Sequence, residues 1–224
     1  MKIRIKIDTA LLILTVVLTV FLFASQDVYP QNTWVDNILD FLGMMIVLKG
    51  TLLRMSARGH KKAYSQRGES LVATGPYMLV RNPMYLGSFL IGLGFVMLVW
   101  PVWLMPVFAL MFYLRFIRQI SEEEKQLSGL FGSGYKHYCD RVPRLFPTVE
   151  SLLNCKTKEA FNLQETFSTK EIWGLIAWPI VAVILETIQE IFVFGQTDIY
   201  KTVYLFTGAV LTFVIVFVIR YIYK

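Results

Sequence analysis

Charge is what this sequence is short of. Asp, Glu, Lys and Arg make up only 17% of it, against about 25% in an average soluble domain. Cysteine and histidine are scarcer still, at two each. That excludes a disulfide-stapled secreted module, and neither cysteine sits in the Cys/His spacing of a metal site. Glycine and proline number 14 and 8, too few for a collagen-like or low-complexity chain. What fills the space is apolar: 55% of the 224 residues are hydrophobic and the mean hydropathy is +0.54. Such a chain is not disordered. It reads as a polytopic membrane protein, and several spans of about 20 residues each leave no room for a large soluble catalytic domain.

Charge-poor stretches fall at 7–24, 38–55 (broken by Lys49 and Arg54), 84–114, 172–194 and 200–219. The third is informative because its 31 residues include no charged residue and no histidine. As one helix it would reach roughly 46 Å at about 1.5 Å per residue, well beyond a hydrocarbon core of about 30 Å. It therefore folds back, with the turn expected at Trp100-Pro101-Val102-Trp103, where Pro suits a first helical turn and tryptophan the membrane interface. The expected fold is all-α, with about six transmembrane helices, a short helical hairpin over about 84–117, and both termini in the cytoplasm. The expected organisation is two N-terminal spans over 1–57, a core over 58–150, a linker or interfacial helix over 151–171, and two C-terminal spans over 172–224.

This count satisfies the positive-inside rule. All 22 Lys and Arg residues except Lys201 then lie on or near the cytoplasmic side. A cleaved signal peptide is the competing reading of the first 25 residues, but it would leave five spans and the charge asymmetry without a cause. The basic excess of +6 is explained by orientation and anionic lipid headgroups, and no nucleic-acid-binding motif is present. Cys139 and Cys155 fall in cytoplasmic segments, where thiols stay reduced. Lys49 is expected to snorkel toward the cytoplasm, and His60 to lie on the surface of a basic loop.

Two polar stretches flank the hairpin, 58–83 and 115–170. In the first, Gly75-Pro76 is a turn signal, Asn82 a natural N-cap and Pro83 a natural first helical residue. Free N–H groups beside Arg81 would make an anion site there. In the second, Ser121 with Glu124 matches a capping box, and the triplet Glu122-Glu123-Glu124 could bind the hydroxyls or amine of a polar ligand.

From about Glu69 to Pro147 the chain resembles the cofactor-binding half of the membrane methyltransferases typified by isoprenylcysteine carboxyl methyltransferase, with the related phospholipid N-methyltransferases. The matching pieces are Gly75-Pro76-Tyr77, Arg81-Asn82-Pro83-Met84-Tyr85-Leu86-Gly87, Glu123-Glu124 with Leu127, Phe131-Gly132-x-x-Tyr135-x-x-Tyr138, and Val142-Pro143. The resemblance implies an integral membrane enzyme using S-adenosylmethionine, with its active site facing the cytoplasm and a lipophilic methyl acceptor such as a prenylated cysteine or a lipid amine. It implies cofactor contacts from Glu69, Ser70, Leu71, Val72, Tyr77, Asn82, Pro83, Met84 and Tyr85, with Glu123 and Glu124 completing the pocket. Arg118, Glu123 and Tyr85 are the candidates for catalytic roles. The family often has His at the position of Asn82, and the phospholipid enzymes resemble Asn82-Pro83-Met84-Tyr85 more closely. Where the isoprenylcysteine enzymes place a substrate-orienting Arg, this chain has Gln119, with Arg118 adjacent. The last two spans extend beyond the family's usual end.

Gly92-Leu-Gly94 lacks the third glycine of a dinucleotide loop and reads, with Gly87, as close helix packing. Glu186 and Glu190, one turn apart in the fifth span, are functional suspects by position, with an interfacial or helix-pairing role preferred. His137 lies between the motif tyrosines. The competing functions are a sterol-type membrane reductase using NADPH and a transporter or scaffold built around Glu186 and Glu190.

Overall fold

The computed structural model describes residues 2–29, 33–154 and 161–195, with scattered positions between 203 and 221. Cys155, Lys201 and most of the sixth span expected at 200–219 lie outside the described residues, as do the side chains of Lys2, Arg4 and Lys6. Among the described residues all regular structure is helical. The order is α1 (Lys2–Ala24), α2 (Thr33–Tyr64), α3 (Pro83–Val99), α4 (Met105–Arg141), α5 (Val149–Asn154), α6 (Leu163–Thr166) and α7 (Ile172–Gln189), which runs on as a π-turn over Glu190–Phe194. Short 3₁₀ turns occur at Gln26–Val28, Gln66–Gly68, Gly75–Met78 and Val102–Leu104.

The hairpin is present. Helix α3 ends at Val99, Trp100 and Pro101 are extended, and the chain returns through Val102–Leu104 into α4. The return helix does not stop near 117, however. It runs unbroken through the acidic triplet to a non-helical Gly132 (φ 51, ψ −122) and then on to Arg141. Ser121 therefore starts no helix: its hydroxyl donates to the Ile117 carbonyl one turn back, at 2.8 Å. The capping-box pattern is overridden because the preceding turn, Phe116 to Ile120, packs into the α3–α4 core.

Helices α2 and α3 pack back to back through glycine. A Cβ on Gly43 would stand 2.9 Å from the Gly94 carbonyl, and one on Gly50 would stand 2.7 Å from that of Gly87. Each pair is seven residues from the next along both helices, so the two backbones touch twice on one face. Gly92 faces the other way, against the Phe108 ring of α4. The packing expected at Gly87, Gly92 and Gly94 is thus shared between two partners.

The outside of the bundle is apolar. Leu12, Val17, Val20 and Phe21 of α1, Ile38 and Phe41 of α2, Leu110 and Leu114 of α4 and Ile184 and Phe192 of α7 are all more than half exposed. A surface of that kind suits lipid rather than water. The stretches Val102–Arg141 and Ile172–Phe194 are long and apolar enough to cross a membrane, and Thr9–Ala24 and Pro83–Val99 are shorter apolar helices. The reverse polarity appears inside: Asp36 and Asp40 of α2 are buried with Glu186 of α7, their carboxylate oxygens within 4.8 Å of one another. Glu190 is buried as well, so both glutamates of this helix face the protein, as a helix-pairing role requires.

Candidate functional site

The N-terminal end of α3 and the middle of α4 meet where the hairpin opens. The Tyr85 hydroxyl donates to Glu123 Oε1 at 2.5 Å, and the Asn82 amide donates to Glu124 Oε1 at 3.1 Å and to the Arg144 carbonyl at 3.0 Å. Residues some 40 positions apart in sequence are thereby joined into one polar cluster. Pro83 opens α3 as expected, but the Asn82 side chain makes no capping bond. It is spent across the site instead.

The two glutamates differ. Glu124 is half-buried between cations, with Oε1 3.3 Å from Arg81 Nε and Oε2 2.9 Å from Arg144 Nε. Neither nitrogen is aligned for a hydrogen bond, so the contacts act as ion pairs. The anion held beside Arg81 is therefore the chain's own carboxylate. Glu123 is exposed, and both of its bonds, from Tyr85 and from Gln119 Nε2 at 3.1 Å, use Oε1. Arg81, Glu124, Ser121, Lys125, Ser128 and Arg144 line an open cavity of about 380 Å³, and Arg144 also donates to Ser121 Oγ at 2.7 Å.

The break at Gly132 turns the end of α4 back toward the cluster. Tyr135 and Tyr138 are buried there; the Tyr138 hydroxyl donates to the Tyr77 carbonyl at 2.7 Å, and the Arg81 N–H donates to the Pro143 carbonyl at 2.8 Å. Tyr77 lies within electrostatic reach of Glu123: burial raises its phenol above the usual range, and the Glu123 charge raises it further.

Not every expected residue joins. Glu69 to Val72 follow the end of α2, where Ser70 bonds back to Ser65 and Gln66, and among the described residues no hydrogen bond or ion pair joins them to the glutamates. Arg118 is exposed on α4, and Gln119 takes the place beside Glu123. His137 is exposed. His60, expected on the surface, is 7% exposed. Its ring is held by Glu165 and Thr74, because the 162–171 segment folds over the end of α2. Arg144 and Ser121 were not legible as members of the site; the only hint was the Arg that follows Val142-Pro143.

A second cavity, of about 880 Å³, lies between α1, α3, α4 and α7. Its wall is apolar and rich in rings, among them Phe23, Phe95, Phe108, Phe112 and Trp178. At one end it reaches Phe116, which packs on Tyr85 with ring centres 5.5 Å apart. The polar cluster and the apolar cavity thus share a boundary.

Comparison with known proteins gives the following likenesses. The family model described as "Phospholipid methyltransferase" matches residues 38–134. The cobalt-zinc-cadmium resistance protein CzcN of Cupriavidus metallidurans is 30% identical over 144 residues, 64% of this chain and 64% of that protein. Protein-S-isoprenylcysteine O-methyltransferase B of Arabidopsis thaliana is 30% identical over 128 residues, 53% of this chain and 62% of that protein. The isoprenylcysteine O-methyltransferase of Schizosaccharomyces pombe is 35% identical over 79 residues, 35% and 34% of the two chains. The chain spans a little under two thirds of the first of these relatives. No solved structure matches.

Proposed function

We propose that this chain, whose residues 38–134 match the phospholipid methyltransferase family, is an integral membrane enzyme that transfers a methyl group from S-adenosylmethionine to a lipophilic acceptor at the cytoplasmic membrane face. The observation that carries this reading is the convergence of Tyr85 on Glu123 and of Asn82 on Glu124. The proposed topology, six spans with both termini in the cytoplasm, would put that cluster on the side where a water-soluble donor is available, and the apolar cavity behind Phe116 suits an acceptor arriving from the lipid.

The donor set fits such a cofactor. Glu123 offers an exposed carboxylate for hydroxyls or an ammonium, fixed in direction by Tyr85 and Gln119. Tyr77 and the run from Asn82 to Tyr85 are assigned to the facing wall, and Glu69 to Val72 to its rim. When bound, the cofactor supplies an electrophilic methyl group. What the protein must add is alignment, which is worth about 7–11 kcal/mol in effective molarity, and exclusion of water. A carboxylate or thiolate acceptor needs no base; a protonated amine needs one, and Glu123 is placed to take the proton. Arg118, exposed beside Gln119, offers a cation to an acidic acceptor. The family match does not favour the nicotinamide-dependent reductase.

The test is incubation of purified protein with methyl-labelled S-adenosylmethionine and a lipid extract. The expected result is label in the organic phase that is lost in Glu123→Ala. Thermal stabilisation by NADPH and not by S-adenosylhomocysteine would contradict it.

A further inference from the structure

Residues 162–171 lie outside the stretch that matches the family and between two apolar helices, where a passive linker would suffice. They are instead docked tightly on the cytoplasmic end of α2. A Cβ on Gly59 would come within 2.0 Å of the Glu165 carbonyl, so this glycine exists to let the two backbones touch. Asn162 caps α6 by accepting from the Glu165 N–H, Thr166 is fully buried, and Lys62 donates to the Ser168 carbonyl at 3.1 Å.

From this segment two chains of contacts lead to the cofactor motifs. In the first, Glu165 Oε2 lies 2.8 Å from His60 Nδ1, and His60 Nε2 lies 2.9 Å from the Thr74 hydroxyl. A carboxylate only accepts, so Nδ1 carries the proton, and the other ring nitrogen is left to fix the Thr74 hydroxyl. The ring also supports the backbone: a Cβ on Gly75 (φ +61) would meet it at 2.8 Å. Gly75 begins the Gly75–Met78 turn that presents Tyr77. Tyr64 packs tilted against the same ring, centres 4.4 Å apart, and shares Glu165, whose hydrogen bond raises its phenol. In the second chain, Glu171 pairs with Arg58 at 2.5 Å and with Arg54 at 3.3 Å. Arg54 donates to Ser88, and its stem lies against Gly87.

We propose that residues 162–171 form a clamp that sets the Gly75–Tyr77 turn through Glu165, His60 and Thr74, making His60 and Glu165 positioning residues for the cofactor site. The inference rests on the methyltransferase reading and deepens it: a segment beyond the family match governs donor affinity. His60 reaches the expected cofactor residues through this turn, so its loss is felt in cofactor binding before it is felt in the chemical step.

Calorimetric titration of S-adenosylhomocysteine into purified protein tests this, with Glu165→Gln, His60→Gln, Thr74→Val and Thr74→Ser beside the unsubstituted chain. Thr74 is exposed, so its two variants keep the fold intact. The first three variants should bind about tenfold more weakly, as expected for one lost hydrogen bond to a charged or fixed partner. They should raise KM for the donor more than they lower kcat, and Thr74→Ser, which restores the hydroxyl, should recover the affinity. A lower melting temperature with unchanged Kd in the folded variants would mean a purely structural role and overturns the clamp alone. Absence of binding by the unsubstituted protein overturns the methyltransferase reading, and the clamp with it.

Discussion

Glu123 and Glu124 are neighbours in the chain and serve different ends. Glu124 neutralises Arg81 and Arg144 and receives the Asn82 amide, so removing its charge strands two partly buried cations. Glu124→Gln should lower stability by about 1–3 kcal/mol, read as a drop in melting temperature in detergent. Glu123→Gln should leave that temperature nearly unchanged and weaken S-adenosylhomocysteine binding about tenfold. Equal effects of both substitutions on stability would refute this division. Glu171 carries a pH dependence. Burial pushes its carboxyl upward, but Arg54 and then Arg58 outweigh burial and hold it below the ordinary 4.5. Its folded value lies below its unfolded one, so its stabilisation is fully present above about pH 4.5 and drains away as pH falls through the folded value. A thermal scan against pH should show a shallower acid-side decline in Glu171→Gln than in the unsubstituted protein. Superimposable curves would contradict the pairing.

Helices are held at two kinds of glycine. Gly43, Gly50, Gly87 and Gly94 remove bulk where α2 and α3 touch. Gly50→Val would press side-chain carbons into the α3 backbone and should cost about 1–3 kcal/mol or prevent folding outright, which the yield of monodisperse protein will show. Gly132 has open space around it and is required by its backbone angles alone (φ 51, ψ −122). Gly132→Ala should therefore cost about 1–3 kcal/mol by working against the break that brings Tyr138 to Tyr77. A neutral Gly132→Ala in denaturant unfolding would show that the break is dispensable. Much of this level was legible beforehand: the uncharged 84–114 run and Trp100-Pro101-Val102-Trp103 located the hairpin, and Asn82-Pro83 located the start of α3. The length of α4 was not. Ser121 carries a valid local cap signal, and only the packing of Phe116 and Ile120 against α3 decides that the helix continues through it.

Across the whole molecule, the parts hidden from sequence are those joined over long separations. The link from His60 to Glu165 spans 105 positions and has no local signature; a lone histidine in a run of basic residues reads as solvated until the clamp is seen over it. Arg144 has no local signature for the same reason, while Tyr85, Asn82, Glu123 and Glu124 were legible because they stand in the order of the motifs that carry the resemblance. The proposed function requires two polar stretches on either side of the hairpin to form one cofactor cup. Calorimetric titration of S-adenosylhomocysteine into the unsubstituted protein, Tyr85→Phe, Glu123→Gln and the double variant decides whether they do. Binding by the unsubstituted protein is expected, with weaker binding by each single variant and a double variant barely worse than Glu123→Gln alone, because Tyr85 acts on that carboxylate through one hydrogen bond. No binding, or single variants as tight as the unsubstituted protein, would contradict it.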